Sequence, residues 1–169
     1  MSNTATLLTA NAITLLAQLV NLYASTRKNK KDILIWQCVF MVLIGVTSWL
    51  LKGYSAVVTD ILGIIRNLII IRGIENRTVD IIQIVLCIVL GVYFNSNGLI
   101  GYLPIIATIS QSLLLLNRNV RTDHVQLVCA FSSVCWTGFN LGIGSYVGAL
   151  FNALAALSYL ATMFREKKD

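Results

Sequence analysis

The sequence contains little proline, little histidine and few charged residues. Its 169 residues include one Pro and one His, and only 12% are Asp, Glu, Lys or Arg, whereas 57% are hydrophobic. A soluble domain of this composition would not have enough polar residues to cover its core. The mean hydropathy of +0.78 agrees with this. The sequence therefore predicts a membrane protein that crosses the bilayer several times.

Clusters of metal ligands and catalytic groups are also missing. The four cysteines lie in apolar segments without CxxC spacing, and the only histidine, His124, does not stand in a cluster of possible ligands. No serine has a plausible base, no loop could hold a phosphate, and no carboxylates are paired at the membrane surface. We therefore expect no metal, no cofactor and no enzymatic activity.

Long apolar runs fill most of the chain. A run of about 17 to 20 residues is long enough to cross a hydrocarbon core of about 30 Å as a helix. The first run follows no cation and precedes several, which is the reverse of a secretory signal, so we expect it to be a retained span. The fourth run is short. We count it as a span because, without it, the basic loops would not all lie on the same side of the membrane. The seven predicted transmembrane helices cover residues 5–25, 33–51, 55–71, 81–94, 99–116, 125–139 and 145–164.

The basic residues are concentrated in alternate loops. Of the 13 Lys and Arg, 11 lie in RKNKKD, RGIENRTVD, RNVRTDH and REKKD, whereas KGY, NSNG and NLGIG contain only Lys52. By the positive-inside rule the basic side is cytoplasmic, which places the N-terminus outside and the C-terminus inside an inner or plasma membrane. The net charge of +6 is explained by these loops, so it does not indicate binding to nucleic acid.

An internal repeat appears when the sequence is shifted by 92 residues. Tyr54 then aligns with Tyr146 and Asp60 with Asn152, and a nearly equal shift aligns Gln18 with Gln111. This pattern predicts an all-α fold of two three-helix bundles, residues 1–73 and 98–169, in parallel repeat. The fourth helix, within residues 74–97, would be the linker of this 3+1+3 arrangement. Parallel repeats of this kind are a transporter architecture with a site between the halves.

Two segments carry a resemblance to a known family. LLKGYSAVVTDILGIIRN and GSYVGALFNALAALSYLATMFR are similar to the small-residue, Asn and Arg pattern of the bacterial inner-membrane YgjV-type family, related to SWEET (MtN3, PQ-loop-like) transporters. The resemblance implies alternating access, with a substrate held between Asn152 and its counterpart Asp60. It also implies that Trp136 stacks on the substrate and that Pro104 is a hinge. The expected substrate is a small polar solute such as a sugar, nucleoside or vitamin-like metabolite.

Residues 49–73 contain Asp60, Arg66 and Asn67 within an apolar stretch. Ionised groups near a bilayer centre cost at least a few kcal/mol, and they usually face a bundle interior or a wet cavity. Asp60 and Arg66 are six residues apart, about 240° around a helix, so they cannot pair with each other. Asp60 is a ligand for a polar or cationic solute, a proton-coupling carboxylate, or a structural hydrogen-bond partner. Arg66 is a counter-ion for an anionic group or snorkels toward the cytoplasm. Uniport and proton coupling both stay open.

The remaining candidates also have two interpretations each. Asn67, Gln18 and Gln111 either contact the solute or join helices, and Trp136 either stacks on the solute or packs in the bundle. Tyr146 is a candidate from the repeat. The alternative function is a non-transporting scaffold or a lipid-binding assembly protein, and a homo-oligomer stays open. Transport predicts a polar cavity between the halves, whereas a scaffold predicts a dry, close-packed centre.

Overall fold

The computed structural model describes residues 4–27, 29–74, 76–116 and 122–166. These ranges contain helices and short connections and no strand. The loop after α5 and the C-terminal residues from 167 onward, which carry part of the predicted cytoplasmic charge, lie outside the described residues. The seven α-helices are α1 (Thr4–Ser25), α2 (Lys30–Leu50), α3 (Tyr54–Ile71), α4 (Arg77–Tyr93), α5 (Leu103–Leu116), α6 (Thr122–Ile143) and α7 (Tyr146–Glu166).

Five of the described helices, α1, α2, α3, α6 and α7, are long and apolar enough to cross a membrane. Two are shorter: α4 has 17 residues and α5 has 14, although a 3₁₀ turn at Ile100–Tyr102 precedes α5 directly. The chain is therefore a multi-pass membrane protein built from helices.

Three helix boundaries differ by four residues from those expected, and one of them is the start of α5, at Leu103 instead of residue 99. α4 begins at Arg77, four residues earlier, because the side chain of Asn76 accepts a hydrogen bond from the Thr78 N–H at 2.9 Å and caps the helix. α6 continues to Ile143 instead of ending at 139. It stops at Gly144, whose φ of +84° suits the left-handed position that terminates a helix.

Pro104 is the second residue of α5, where it does not interrupt a helix interior. The Ile100 carbonyl, which a residue other than proline at position 104 could bond, instead accepts the N–H of Leu103 in the 3₁₀ turn. Pro104 thus explains why the segment starts as a 3₁₀ turn and becomes α-helical afterwards. The predicted helix of residues 99–116 places Pro104 in its interior, whereas in α5 it lies in the first turn, where a proline breaks no helical hydrogen bond; its role as a hinge stays a prediction.

The helices form a ring in chain order. Each helix packs against the next one in the sequence, and α1 also contacts α7, which closes the ring. α3 also contacts α5, the other neighbour of α4. Within each triplet the middle helix, α2 or α6, packs against both of its neighbours. The ring surrounds a central space, and each of the seven described helices borders on it.

The connections α2–α3 and α6–α7 have the same backbone structure. The N–H of Gly53 donates to the Ser48 carbonyl at 2.7 Å, and the N–H of Ser145 donates to the Asn140 carbonyl at 2.8 Å. Positive φ angles occur at Lys52 (+61°) and Gly144 (+84°). All three pairs of positions are 92 residues apart, so the shift found in the sequence also relates these two turns. We call the side of the bundle that carries them the turn end.

An apolar cluster closes the turn end of the ring. Gly53 lies so close to Phe139 that a Cβ at position 53 would come within 2.8 Å of the Phe139 ring, so only glycine fits here without a shift. Fully or nearly fully buried side chains from α1, the α2–α3 turn, α3 and α6 meet at this level. The cluster consists of Ala10, Leu51, Ala56, Phe139 and Ile143.

The short helix α4 gives a direct test of the membrane topology. In a variant whose native cysteines are replaced by alanine, we introduce a single cysteine at Arg77 or at Ser96, both of which are exposed and lie at opposite ends of α4. We expect an impermeant thiol reagent to label position 96 from outside the cell and position 77 only after the membrane is opened, because the basic loops are retained inside. Labelling of both positions from the same side would show that α4 does not span.

Candidate functional site

A cavity of about 600 Å³ lies inside the ring, and all seven helices contribute to its wall. Its volume falls in the range of small-molecule sites, about 300 to 1,000 Å³. The wall mixes amide, hydroxyl and charged side chains with aromatic and aliphatic ones. The apolar cluster lies on the turn-end side of the cavity. On the other side the cavity wall reaches Asn21 and Asn67, which lie near the ends of α1 and α3 that are farther from the turn end.

The cavity wall repeats along the chain. Each position that α2 and α3 contribute has a counterpart 92 residues later in α6 or α7, and that counterpart also lines the cavity. The pairs are Phe40 and Ser132, Met41 and Ser133, Ile44 and Trp136, Thr59 and Phe151, Asp60 and Asn152, Gly63 and Ala155, Arg66 and Ser158, and Asn67 and Tyr159. A shared register of eight positions means that the two helix pairs present equivalent faces to one space.

α1 and α5 follow the same rule with a shift of 90 residues. α1 contributes Gln18, Asn21 and Leu22, and α5 contributes the matching positions 108, 111 and 112. Gln18 was expected to correspond to Gln111, but in this register Asn21 does. The second half therefore has two more residues between its first and second helix than the first half has. Gln18 is buried, while Gln111 is exposed at the wall.

Asp60 is buried, with 9% of its surface exposed. Its Oδ2 atom has no hydrogen-bond partner among the described residues. α3 presents it toward Gly45 of α2, where a Cβ would lie 3.8 Å from Oδ2, an ordinary contact distance. The neighbouring Thr59 hydroxyl donates to the Ala56 carbonyl at 2.8 Å. A buried carboxylate oxygen thus faces a cavity without a donor from any residue that the structure describes.

Asn152 occupies the matching position on α7, but its environment differs. Its Nδ2 group donates to the carbonyl of Gly148 at 2.9 Å, one turn earlier in the same helix. Gly148 also lets α6 come close, because a Cβ there would lie 3.1 Å from Nδ2 of Asn140. Asn140 lines the cavity too. The second half therefore presents two neutral amides at the level where the first half presents a carboxylate.

Arg66 forms an ion pair with Asp80 of α4. Its Nε lies 3.4 Å from Asp80 Oδ1, and the two side chains are 21% and 25% exposed. Sequence analysis indicated that Arg66 needs a partner other than Asp60, but it did not identify Asp80, which it assigned to a loop. The feature of the sequence that could have indicated this partner is the position of Asp80 directly before the short apolar run. Asp80 thus offsets the positive charge of Arg66 beside the cavity, although Nε of Arg66 has no hydrogen-bond partner among the described residues.

Trp136 and Asn67 also lie on the cavity wall. Trp136 packs edge-on against Phe139, with 5.9 Å between the ring centroids, so it joins the cavity to the apolar cluster at the turn end. Asn67 is 5% exposed, and its Nδ2 atom has no hydrogen-bond partner in the described part of the chain. The same holds for Oε1 of Gln83, a residue of α4 that lines the cavity.

Two predicted residues lie away from the cavity. Tyr146, the first residue of α7, is 62% exposed and is not among the residues that line the cavity. Pro104 is buried at the start of α5 and does not line it either. Sequence analysis in turn missed several lining residues, because an amide, hydroxyl or aromatic group in an apolar helix gives no sign of the direction in which it points. Among them are Gln83, Ser132, Asn140 and Tyr159.

Metal binding finds no support in this geometry. Within the described ranges, no three His, Cys, Asp or Glu side chains come together as ligands. Asp60 is the one carboxylate among the described residues of the cavity wall, and a divalent cation normally needs several oxygen ligands.

Comparison with known proteins identifies the family. The model of a family described as bacterial inner membrane protein, Imp-YgjV, matches residues 8–169, nearly the whole chain. The chain belongs to this family. No curated protein and no solved structure matches it.

Proposed function

We propose that this member of the bacterial inner membrane family transports a small polar solute by alternating access. In this proposal the solute binds in the central cavity between residues 1–73 and 98–169, and no chemical step is involved. The N-terminus lies outside and the C-terminus in the cytoplasm, as the loop charges indicate. The range of solutes expected from the sequence includes sugars, nucleosides and vitamin-like metabolites.

The observation that carries the proposal is the repeated register of the cavity wall. Eight positions of α2 and α3 recur 92 residues later, and three of α1 recur 90 residues later in α5. A wall built from two equivalent three-helix faces, with α4 as linker, is what a parallel-repeat carrier requires. A scaffold gains nothing from a polar space at its centre. Its unpaired polar atoms, such as Asp60 Oδ2, would instead be costly.

In this proposal the geometry also favours one side of the membrane as the side to which the cavity opens in this structure. The apolar cluster around Phe139 closes the turn end, and the wall continues toward the end that carries the basic loops. In the proposed orientation this is a state open to the cytoplasm. Movement to the other state would separate the cluster between the two halves and bring their opposite ends together.

A cysteine at Ser132 tests the proposal. Ser132 is fully buried on α6, lines the cavity, and its Oγ has no hydrogen-bond partner in the described residues. In sealed membrane vesicles of either orientation, we expect the charged thiol reagent MTSET to label this cysteine from both faces, since alternating access exposes the cavity to each in turn. The matched control is a cysteine at Val134, which is 58% exposed on the outer side of α6 and should not react within lipid. Labelling of position 132 from one face only, under all conditions, would favour the scaffold.

A further inference from the structure

The charge of the cavity wall is unbalanced. Among the lining residues in the described part of the chain only Asp60 is acidic and only Arg66 is basic, and Arg66 is paired with Asp80 outside the lining. Along α3 the two are six residues apart, about 9 Å at 1.5 Å per residue. The carboxylate is therefore not neutralised by the arginine on its own helix, and it is the charge that a bound solute would meet near the closed end.

The chain offers Asp60 few donors. The hydroxyl of Thr59 and the amide of Asn152 both donate to main-chain carbonyls of their own helices. On the side of α2 Asp60 faces Gly45, which has no side chain and offers no donor from one. A buried carboxylate without a partner is costly, so a ligand that brings both a positive charge and N–H donors would recover that cost.

The rest of the wall suits the body of such a ligand. Phe40, Trp136, Phe151 and Tyr159 line the cavity from α2, α6 and α7. The faces of aromatic rings attract cations and also pack against apolar groups. The wall thus combines one anionic group with several aromatic surfaces.

We infer that the solute of this cavity is an organic ammonium ion, held by a charged hydrogen bond to the unpaired oxygen of Asp60 and packed by its apolar body against the aromatic wall. This inference rests on the proposed function, which it narrows from small polar solutes to one class. A sugar would satisfy hydrogen bonds but would leave the carboxylate charge without compensation.

Three probes with one frame and different head groups test the inference. They are 2-phenylethylammonium, 2-phenylethanol and phenylacetate, each added at the same ionic strength to the purified full-length protein while its thermal unfolding is followed. We expect only the ammonium probe to raise the unfolding temperature. Its affinity should fall by at least about 30-fold in Asp60→Asn, since truncating one partner of a buried charge pair costs that much or more. Partition into the detergent is common to all variants and cancels in the comparison.

Two further variants serve as controls. Asp32→Asn removes the same charge from an exposed site in the first turn of α2, outside the cavity, and should leave the effect of the ammonium probe unchanged. Asp60→Glu keeps the charge and should keep the preference for the ammonium probe over the alcohol. Asn152 shows that the position equivalent to 60 accepts an asparagine, and the unfolding temperature without probe checks the folding of each variant.

Several outcomes would overturn the inference. They are equal stabilisation by the alcohol or by phenylacetate, stabilisation by the ammonium probe that persists in Asp60→Asn, and no effect of any probe at millimolar concentration. None of these would change the two-sided labelling of a cysteine at Ser132. A wrong solute class and a wrong transport proposal can therefore be distinguished.

Discussion

Asn11→Ala should raise the rate at which MTSET labels a cysteine at Ser132 from the turn end by about 30-fold. Asn11 of α1 donates from Nδ2 to the Gly144 carbonyl at 3.0 Å, and its Oδ1 accepts the N–H of Val147 at 2.9 Å. The Val147 N–H lies in the first turn of α7, where the helix itself supplies no acceptor. One side chain thus joins the first helix to the start of the last.

The size of this effect follows from the two bonds between helices. Each contributes about 1 kcal/mol net, so their loss should favour states with a separated turn end by about 2 kcal/mol. This corresponds to a factor of about 30 in the ratio of open to closed molecules.

The control for Asn11→Ala is Thr14→Val, on the same helix. Thr14 is fully buried, and its hydroxyl donates to the Ala10 carbonyl and contacts the Thr47 hydroxyl of α2. Loss of this hydroxyl weakens the packing of α1 against α2 and leaves the contact between α1 and α7 in place. We expect lower stability but little change in labelling from the turn end. An equal increase in both variants would show that general loosening of α1, and not the contact with α7, controls access.

Asp80→Ala should lower the free energy of unfolding by about 3 kcal/mol. Removing one partner of a largely buried ion pair leaves the other charge uncompensated, which costs about 3 to 5 kcal/mol when burial is complete. Arg66 and Asp80 are about one fifth to one quarter exposed, so the lower end of this range applies. The loss would be measured by unfolding in mixed micelles with increasing SDS.

The double variant Arg66→Ala with Asp80→Ala separates the energy of the ion pair from the other interactions of the two residues. It should recover most of the lost stability, because no unpaired charge is left, and the coupling energy of the cycle should be about 1 to 3 kcal/mol. Arg77→Ala removes an exposed cation at the start of the same helix and should change stability by less than about 0.5 kcal/mol. Additive effects of the two single substitutions would show that the contact contributes nothing to stability.

Much of the fold could be predicted from the sequence, because apolar runs and loop charges are local signals. The predicted helices lie within a few residues of those observed, apart from the earlier start of α4, the later start of α5 and the longer α6. The changes in α4 and α6 arise at caps, Asn76 and Gly144, and the start of α5 follows from Pro104, so one residue decides each boundary. The 92-residue shift was visible in the sequence as well, since it aligns polar residues that would otherwise match only by chance.

The contacts within the site were less predictable. Six-residue spacing excluded a pair between Asp60 and Arg66, but it did not identify Asp80, whose position depends on how α4 packs against α3. The contact between Asn11 and Val147 joins residues 136 positions apart, and nothing local in the sequence indicates it. Which amides and hydroxyls face the cavity depends on helix rotation, which a nearly uniform apolar sequence specifies poorly.

The closed ring has a consequence for the order of folding. Six of its seven seams join neighbours in the chain and can form as helical hairpins while synthesis proceeds, whereas the seam between α1 and α7 has to wait for the last helix. At about 5 to 20 residues per second, roughly ten seconds pass between the synthesis of Asn11 and that of Val147. During this time the inward face of the first half, with Asp60, lacks its opposite wall. A helix that arrives last therefore completes the cavity, and truncation before α7 would leave an assembled but open bundle.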